Sequence, residues 1–219
     1  MVPESEFAHD DPRVIDEPAS WLEKNQSTVG AIAVLVFLAV AAGVWWWQGR
    51  QAAAEEACNQ LVHASEPTAW KKILQTHADT PAAPLALMRL AGAAREKSDW
   101  NEALAYTDQF LRDYRSHSFY PLMQLSRAET LEAAGRLDEA LQAYELVHNA
   151  KPTHPLLGGA VLGMARIHLA KKETTAARTV LSDYLATGRA GAYAAEVSQK
   201  LKALPAPETA PVMLDTPKP

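Results

Sequence analysis

Seven histidines and one cysteine are the side chains whose type points most directly to metal binding or nucleophilic attack, so their spacing comes first. His148 and His154 stand six residues apart across a turn containing Pro152, a spacing that is a weak metal hint. Cys58 has His63 five residues further on, which would be a thiolate–imidazole pair if the two met. Five residues along a helix turn them to different faces. His168 falls inside a predicted helix and reads as a packed histidine. A single cysteine excludes an internal disulfide. Cys58 could bridge two copies in an oxidising compartment, or serve as a small buried apolar residue. The chain has no glycine-rich phosphate loop, no paired-cysteine metal motif and no nucleophile elbow. The expectation is therefore no catalytic residue, no metal, no cofactor and no small-molecule substrate: a binding protein, not an enzyme.

What must position any binding surface here is a set of helices, and one of them is unlike the rest. From Val29 to Trp47 run 19 residues without a charge or a polar side chain. As a helix they span roughly 28 Å, close to the hydrocarbon thickness of a bilayer. Trp45, Trp46 and Trp47 end the stretch, where aromatic rings suit the headgroup zone, and they read as an interfacial membrane anchor. A cleaved signal peptide would need a short basic leader. The 28 residues before the span instead hold seven acids against Arg13 and Lys24. An uncleaved single-pass anchor is the expectation. Basic residues on the two sides of the span give no clear orientation, but a long domain after one N-terminal span is commonly exported.

The acidic leader accounts for the whole net charge of −5, and the remainder is balanced. No basic stripe offers a nucleic-acid surface. Residues 1–24 form an acidic tail expected to be disordered. Residues 25–50 carry the membrane helix, residues 51–204 the folded domain, and 205–219 a second tail whose prolines cannot sustain a helix.

Inside the domain the alanines repeat. Ala91, Ala128 and Ala165 are 37 residues apart, and so are Ala103, Ala140 and Ala177. A fixed period of this size marks a stack of helix pairs. Nothing alternates with period two, so no sheet is expected. The membrane helix should continue through Gln51 to Ala64, followed by helices over Trp70–His77, Leu85–Glu96, Trp100–Asp113, Phe119–Ala134, Leu137–Asn149, Leu156–Ala170, Thr174–Leu185 and Ala190–Leu204. Asp99 with Glu102 forms a variant capping box, and Gly135 suits a left-handed helix cap. Trp100, Phe110, Leu141 and Tyr144 are core candidates.

Gly135-Arg136-Leu137-Asp138-Glu139-Ala140-Leu141-Gln142-Ala143-Tyr144, running on to Pro152, resembles the tetratricopeptide repeat. Asp99-Trp100-Asn101-Glu102-Ala103-Leu104 repeats the pattern one period earlier, and Glu173 to Ala177 echoes it. The resemblance implies an all-α fold, a tetratricopeptide-type helical-hairpin solenoid on a single N-terminal transmembrane helix. It also implies that partners meet the face lined by the first helix of each hairpin. The inward positions carried over are Leu85, Met88 and Arg95, then Leu122, Leu125, Glu129 and Glu132, then Leu162, Arg166 and Leu169. Such a lining is an apolar floor with opposed charges. It suits an extended or helical peptide, or else it is a solvated face. The lysines and asparagines of the family's chaperone-tail clamp are missing.

The whole architecture, an acidic tail, one span, a continuing helix and short repeats, is similar to that of ancillary translocon subunits of bacterial inner membranes. That resemblance implies a periplasmic repeat domain beside the protein-export channel. Its expected partners are translocon subunits, periplasmic chaperones or exported chains. A cell-envelope scaffold tethering a division, secretion or outer-membrane assembly complex is the alternative.

Overall fold

A computed structural model describes residues 24–150, 156–188 and 192–205. The acidic leader before Lys24, the tail after Pro205, Pro152 and His154 lie outside the described residues. Among the described residues there are nine helices and no strand. They are α1 (Gln26–His63), α2 (Pro67–Thr76), α3 (Ala82–Glu96), α4 (Trp100–Asp113), α5 (Tyr120–Ala133), α6 (Leu137–Ala150), α7 (Leu157–Ala170), α8 (Thr174–Ala186) and α9 (Ala194–Ala203). The fold is all-α, a solenoid of helical hairpins with one long apolar helix at its N-terminal end. Contacts divide the chain into two compact units, Met1–Glu55 and Glu56–Pro219.

In the first unit, α1 is long and apolar enough to cross a membrane, and 0 % of its most apolar window is buried in the chain. Trp45, Trp46 and Trp47 are all exposed, and the Arg50 guanidinium lies 4.6 Å from the centre of the Trp46 ring. That cation–π contact covers one face of an otherwise bare indole. A helix that is apolar all round is stable only when its whole surface has an apolar environment.

In the second unit the 37-residue period becomes a packing register. Ile73, Phe110, Val147 and Tyr184, one on each second helix, are all buried. Ala86, Met123, Ala160 and Val197, on successive first helices, are buried as well. The end of α1 takes the place of a first helix, because Ala57 and Leu61 join the core of Ile73, Ala82 and Ala86. At the other end of the described residues, α9 holds the register of a first helix. Its buried residue is Val197, while Glu196, Gln199, Lys200 and Lys202 face solvent. A polar face of this kind is what a capping helix of a repeat stack carries. Arg178 of α8 ties it down, donating from Nη2 to the Leu204 carbonyl at 3.3 Å and also to the Pro205 carbonyl. The small residues do what their size permits. Ala128 and Ala140, which let α5 and α6 approach, are both 0 % exposed.

The hairpin turns are also periodic. Ser98, Gly135 and Lys172 all have positive φ, at 57°, 76° and 64°. In each turn the next residue's N–H returns to a carbonyl five positions back, at 2.8–2.9 Å: Asp99 to Ala94, Arg136 to Leu131, Glu173 to His168. The left-handed residue itself donates to the carbonyl three back, so each turn satisfies two carbonyls that the helix end would leave open. Glycine is suited to this conformation, whereas a side chain there costs roughly 1–2 kcal/mol. Ser98→Gly and Lys172→Gly are each expected to stabilise the fold by up to about 1 kcal/mol, and Gly135→Ala to destabilise it by about 1–2 kcal/mol. Chemical-denaturation midpoints of the three variants measure this.

Three expectations change. α2 begins at Pro67, not Trp70, because proline at the first helical position needs no N–H partner and brings its φ ready set. α3 begins at Ala82, not Leu85: Pro84 sits buried in its first turn, where its missing donor has no carbonyl to meet. Trp100 is half-buried at the start of α4 and belongs to no core cluster, while Phe110 and Tyr144 are 0 % exposed. Asp99 caps α4 as expected, its Oδ1 accepting from the Glu102 N–H at 3.1 Å.

Candidate functional site

The first helices α3, α5 and α7 carry the ten residues expected to line a groove, and burial divides them. Leu85 and Met88 on α3 are half-buried, and Leu122 on α5 is exposed. Leu125 and Leu162 are not lining residues. They are 4 % and 6 % exposed, in the cores shared with α6–α7 and α8–α9 respectively. Leu169 is half-buried against the second of these cores.

The four charges pair with one another instead of facing outward alone. Arg95 Nη1 donates to Ser126 Oγ at 3.1 Å and lies 3.5 Å from Glu129 Oε2, linking α3 to α5. Glu132 on α5 accepts two parallel hydrogen bonds from Arg166 on α7, at 2.8 Å from Nε and 2.7 Å from Nη2. Both links join residues 34 apart, and the sign reverses between them: arginine to glutamate, then glutamate to arginine. The side chain at the last turn of one first helix thus reaches one turn back along the next. These are ties between neighbouring hairpins.

The second tie is the more deeply built. Tyr144 of α6, 0 % exposed, donates its hydroxyl to Glu132 Oε2 at 2.6 Å. Burial alone would raise the Glu132 carboxyl, but the hydrogen bonds from Arg166 and Tyr144 outweigh it and hold the group below the usual glutamate range. Burial, and next the Glu132 carboxylate, push the Tyr144 phenol well above its ordinary value. Glu132, ahead of its other neighbours, holds the Arg166 guanidinium firmly protonated. The phenol fits because α7 has Gly163 there: a Cβ on Gly163 would lie within 2.6 Å of three atoms of the Tyr144 ring. A glycine inside an apolar helix was the available sequence signal for this close approach.

On the second-helix side, Lys71 of α2 donates to Glu102 of α4 at 3.0 Å, and Tyr106 donates to the same carboxylate at 2.9 Å. The cleft beside them, about 70 Å³, is far below the roughly 300 Å³ of a small-molecule site. His168 is packed, as expected, with Nδ1 2.7 Å from Glu173 Oε2. Cys58 is half-buried and His63 exposed. Among the described residues no group of three or more His, Cys, Asp or Glu side chains could hold a metal.

The arrangement is a tied array of first helices with apolar side chains open near Leu122. No curated protein matches the chain. A family model for the tetratricopeptide repeat matches residues 85–117, which hold α3 from Leu85 onward, α4 and the turn toward α5. The matched hairpin shares its register with its neighbours, so the folded part repeats its helix-pair packing, and a repeat of this family points to protein–protein interaction.

Proposed function

We propose that this chain is a membrane-anchored interaction protein working beside the protein-export channel of a bacterial inner membrane. Its span would be the apolar part of α1, and its repeats would face the periplasm. One observation carries the reading: the apolar helix, unburied in the chain, runs without a break into the first helix of a repeat array. Such a protein would carry a protein-binding surface on a membrane anchor. The anchor would be Trp45, Trp46 and Trp47, and the partner groove would be the face around Leu85, Met88 and Leu122. Its partners would be channel subunits, periplasmic chaperones or emerging chains.

The test is a photo-activatable cross-linker in place of Leu122, used in native membranes, with adducts identified by mass spectrometry. Leu122 is chosen because Leu125, the neighbouring candidate, is buried. The expected adducts are channel subunits, periplasmic chaperones or unfolded exported chains. Adducts confined to one division or outer-membrane assembly protein would replace this reading with an envelope scaffold, and cytoplasmic adducts would overturn the periplasmic placement.

A further inference from the structure

The first charged residue after the apolar run of α1 is Arg50, and its own helix offers it no counter-charge. Arg50 stands three residues beyond Trp47, about 4.5 Å further along the axis. A helical arginine ordinarily finds its carboxylate three or four positions away. Here Ala53 and Ala54 hold those positions on one side, and Trp46 and Trp47 hold them on the other. Glu55, the nearest acid, is five residues on, about 140° round the helix.

Arg50 is exposed, and among the described residues its one side-chain partner is the Trp46 ring, whose centre lies 4.6 Å from the guanidinium carbon. That contact places the group without using its donors. A guanidinium stacks by its face, whereas its N–H groups lie in its plane and match the oxygens of a phosphate two at a time. Trp46 is itself 60 % exposed, so the pair stands on the open surface of the helix. Depth then points to the ligand. The hydrocarbon core of a bilayer is about 30 Å thick, and the headgroup layers add roughly 5–7 Å on each side. With Val29 to Trp47 across the core, Arg50 falls inside one of these layers, where lipid phosphates lie.

We propose that Arg50, held over Trp46, binds the phosphodiester of a membrane lipid. This rests on the membrane reading given above and adds a ligand to it. The phosphate oxygens accept from the in-plane N–H groups and supply the negative charge that α1 withholds, while the acyl chains lie along the exposed apolar part of the helix. A single guanidinium on an open surface holds a free anion only weakly in water, so the ligand is the phosphate of a lipid and not the ion alone.

The test is native mass spectrometry of the full chain released from detergent. The chain is offered phosphatidylglycerol, the diacylglycerol with the same acyl chains, or inorganic phosphate. The wild type is expected to retain the phospholipid about fivefold more than the diacylglycerol, as one charge-assisted hydrogen bond at a wet surface would give, and to keep it in excess inorganic phosphate. Arg50→Gln and Trp46→Leu should each abolish the preference. Arg50→Lys, which keeps the charge but not the planar fork, should retain about half of it. Lys24→Gln removes one positive charge on the other side of the span and should leave the preference unchanged. Circular dichroism checks that the variants stay helical. Equal retention of phospholipid and diacylglycerol, displacement by inorganic phosphate, or an equal loss in Lys24→Gln overturns the proposal. Flotation of the wild type with phosphatidylcholine vesicles keeps the two readings apart. A chain that floats but shows no phosphate preference removes this site alone, and one that fails to float removes the membrane reading as well.

Discussion

Gly163→Ala should cost the repeat array about 1–3 kcal/mol, although alanine is the better helix former by about 1 kcal/mol. The reason is the Tyr144 ring, three of whose atoms would lie within 2.6 Å of the new Cβ. The ring cannot slide away cheaply. It is 0 % exposed, and its hydroxyl is tied at 2.6 Å to Glu132. A double-mutant cycle isolates this contact. Tyr144→Ala alone removes a buried aromatic and should cost about 3–5 kcal/mol, as other buried large-to-small changes do. In that background Gly163→Ala meets no ring, so it should become stabilising by up to about 1 kcal/mol through helix propensity. A change of sign between the two backgrounds, measured by chemical denaturation, is the expected result. The same cost in both would mean that something other than the ring excludes a side chain at 163.

Much of the fold was legible because local residues punctuate it. Asp99 starts α4, Gly135 ends α5 at the middle hairpin turn, and alanines every 37 residues mark where helices cross. The errors have local causes too. Proline reads as a breaker, yet Pro67 and Pro84 stand in first turns, where its missing donor does no harm. Trp100 reads as core by size, but its place at the first position of α4 leaves it half-buried.

The candidate site was harder to read, because its surface depends on contacts distant in sequence. Leu125 and Leu162 hold groove positions in the register, and both are buried, with the ring at the start of α9 lying beside them. No pattern around 125 announces a tyrosine at 193. The ion ties were half-legible. Arg95, Glu129, Glu132 and Arg166 stood out as opposed charges, but their 34-residue spacing, three short of the period, was the sign that they reach one another. That offset is one helical turn less than a full repeat, the distance a long side chain leans back along a neighbouring helix.

Glu132 is where those ties meet the core, so it should respond to mutation and to acid together. Glu132→Ala would leave the Tyr144 hydroxyl buried without its acceptor, which costs about 1–3 kcal/mol. Arg166 is 47 % exposed and would turn to water, so losing its partner adds little. Glu132→Gln keeps a carbonyl acceptor and should cost clearly less than the alanine variant. Acid then separates charge from hydrogen bonding. Burial opposes the Glu132 charge, but Arg166 and Tyr144 together hold the folded carboxyl below its ordinary value of 4.5. A carboxyl depressed in the folded state stabilises the protein above the unfolded value, and that contribution is lost as pH falls through the folded one. The stability difference between wild type and Glu132→Gln should thus be full at pH 7 and shrink below about pH 4.5. Glu102 and Glu139 are also held low by Lys71 and Arg136, but they are present in both proteins and cancel in the difference. A gap that stays constant from pH 7 to pH 3 would mean that the Glu132 charge contributes nothing beyond its hydrogen bonds, and the tie to Arg166 would then be geometric only.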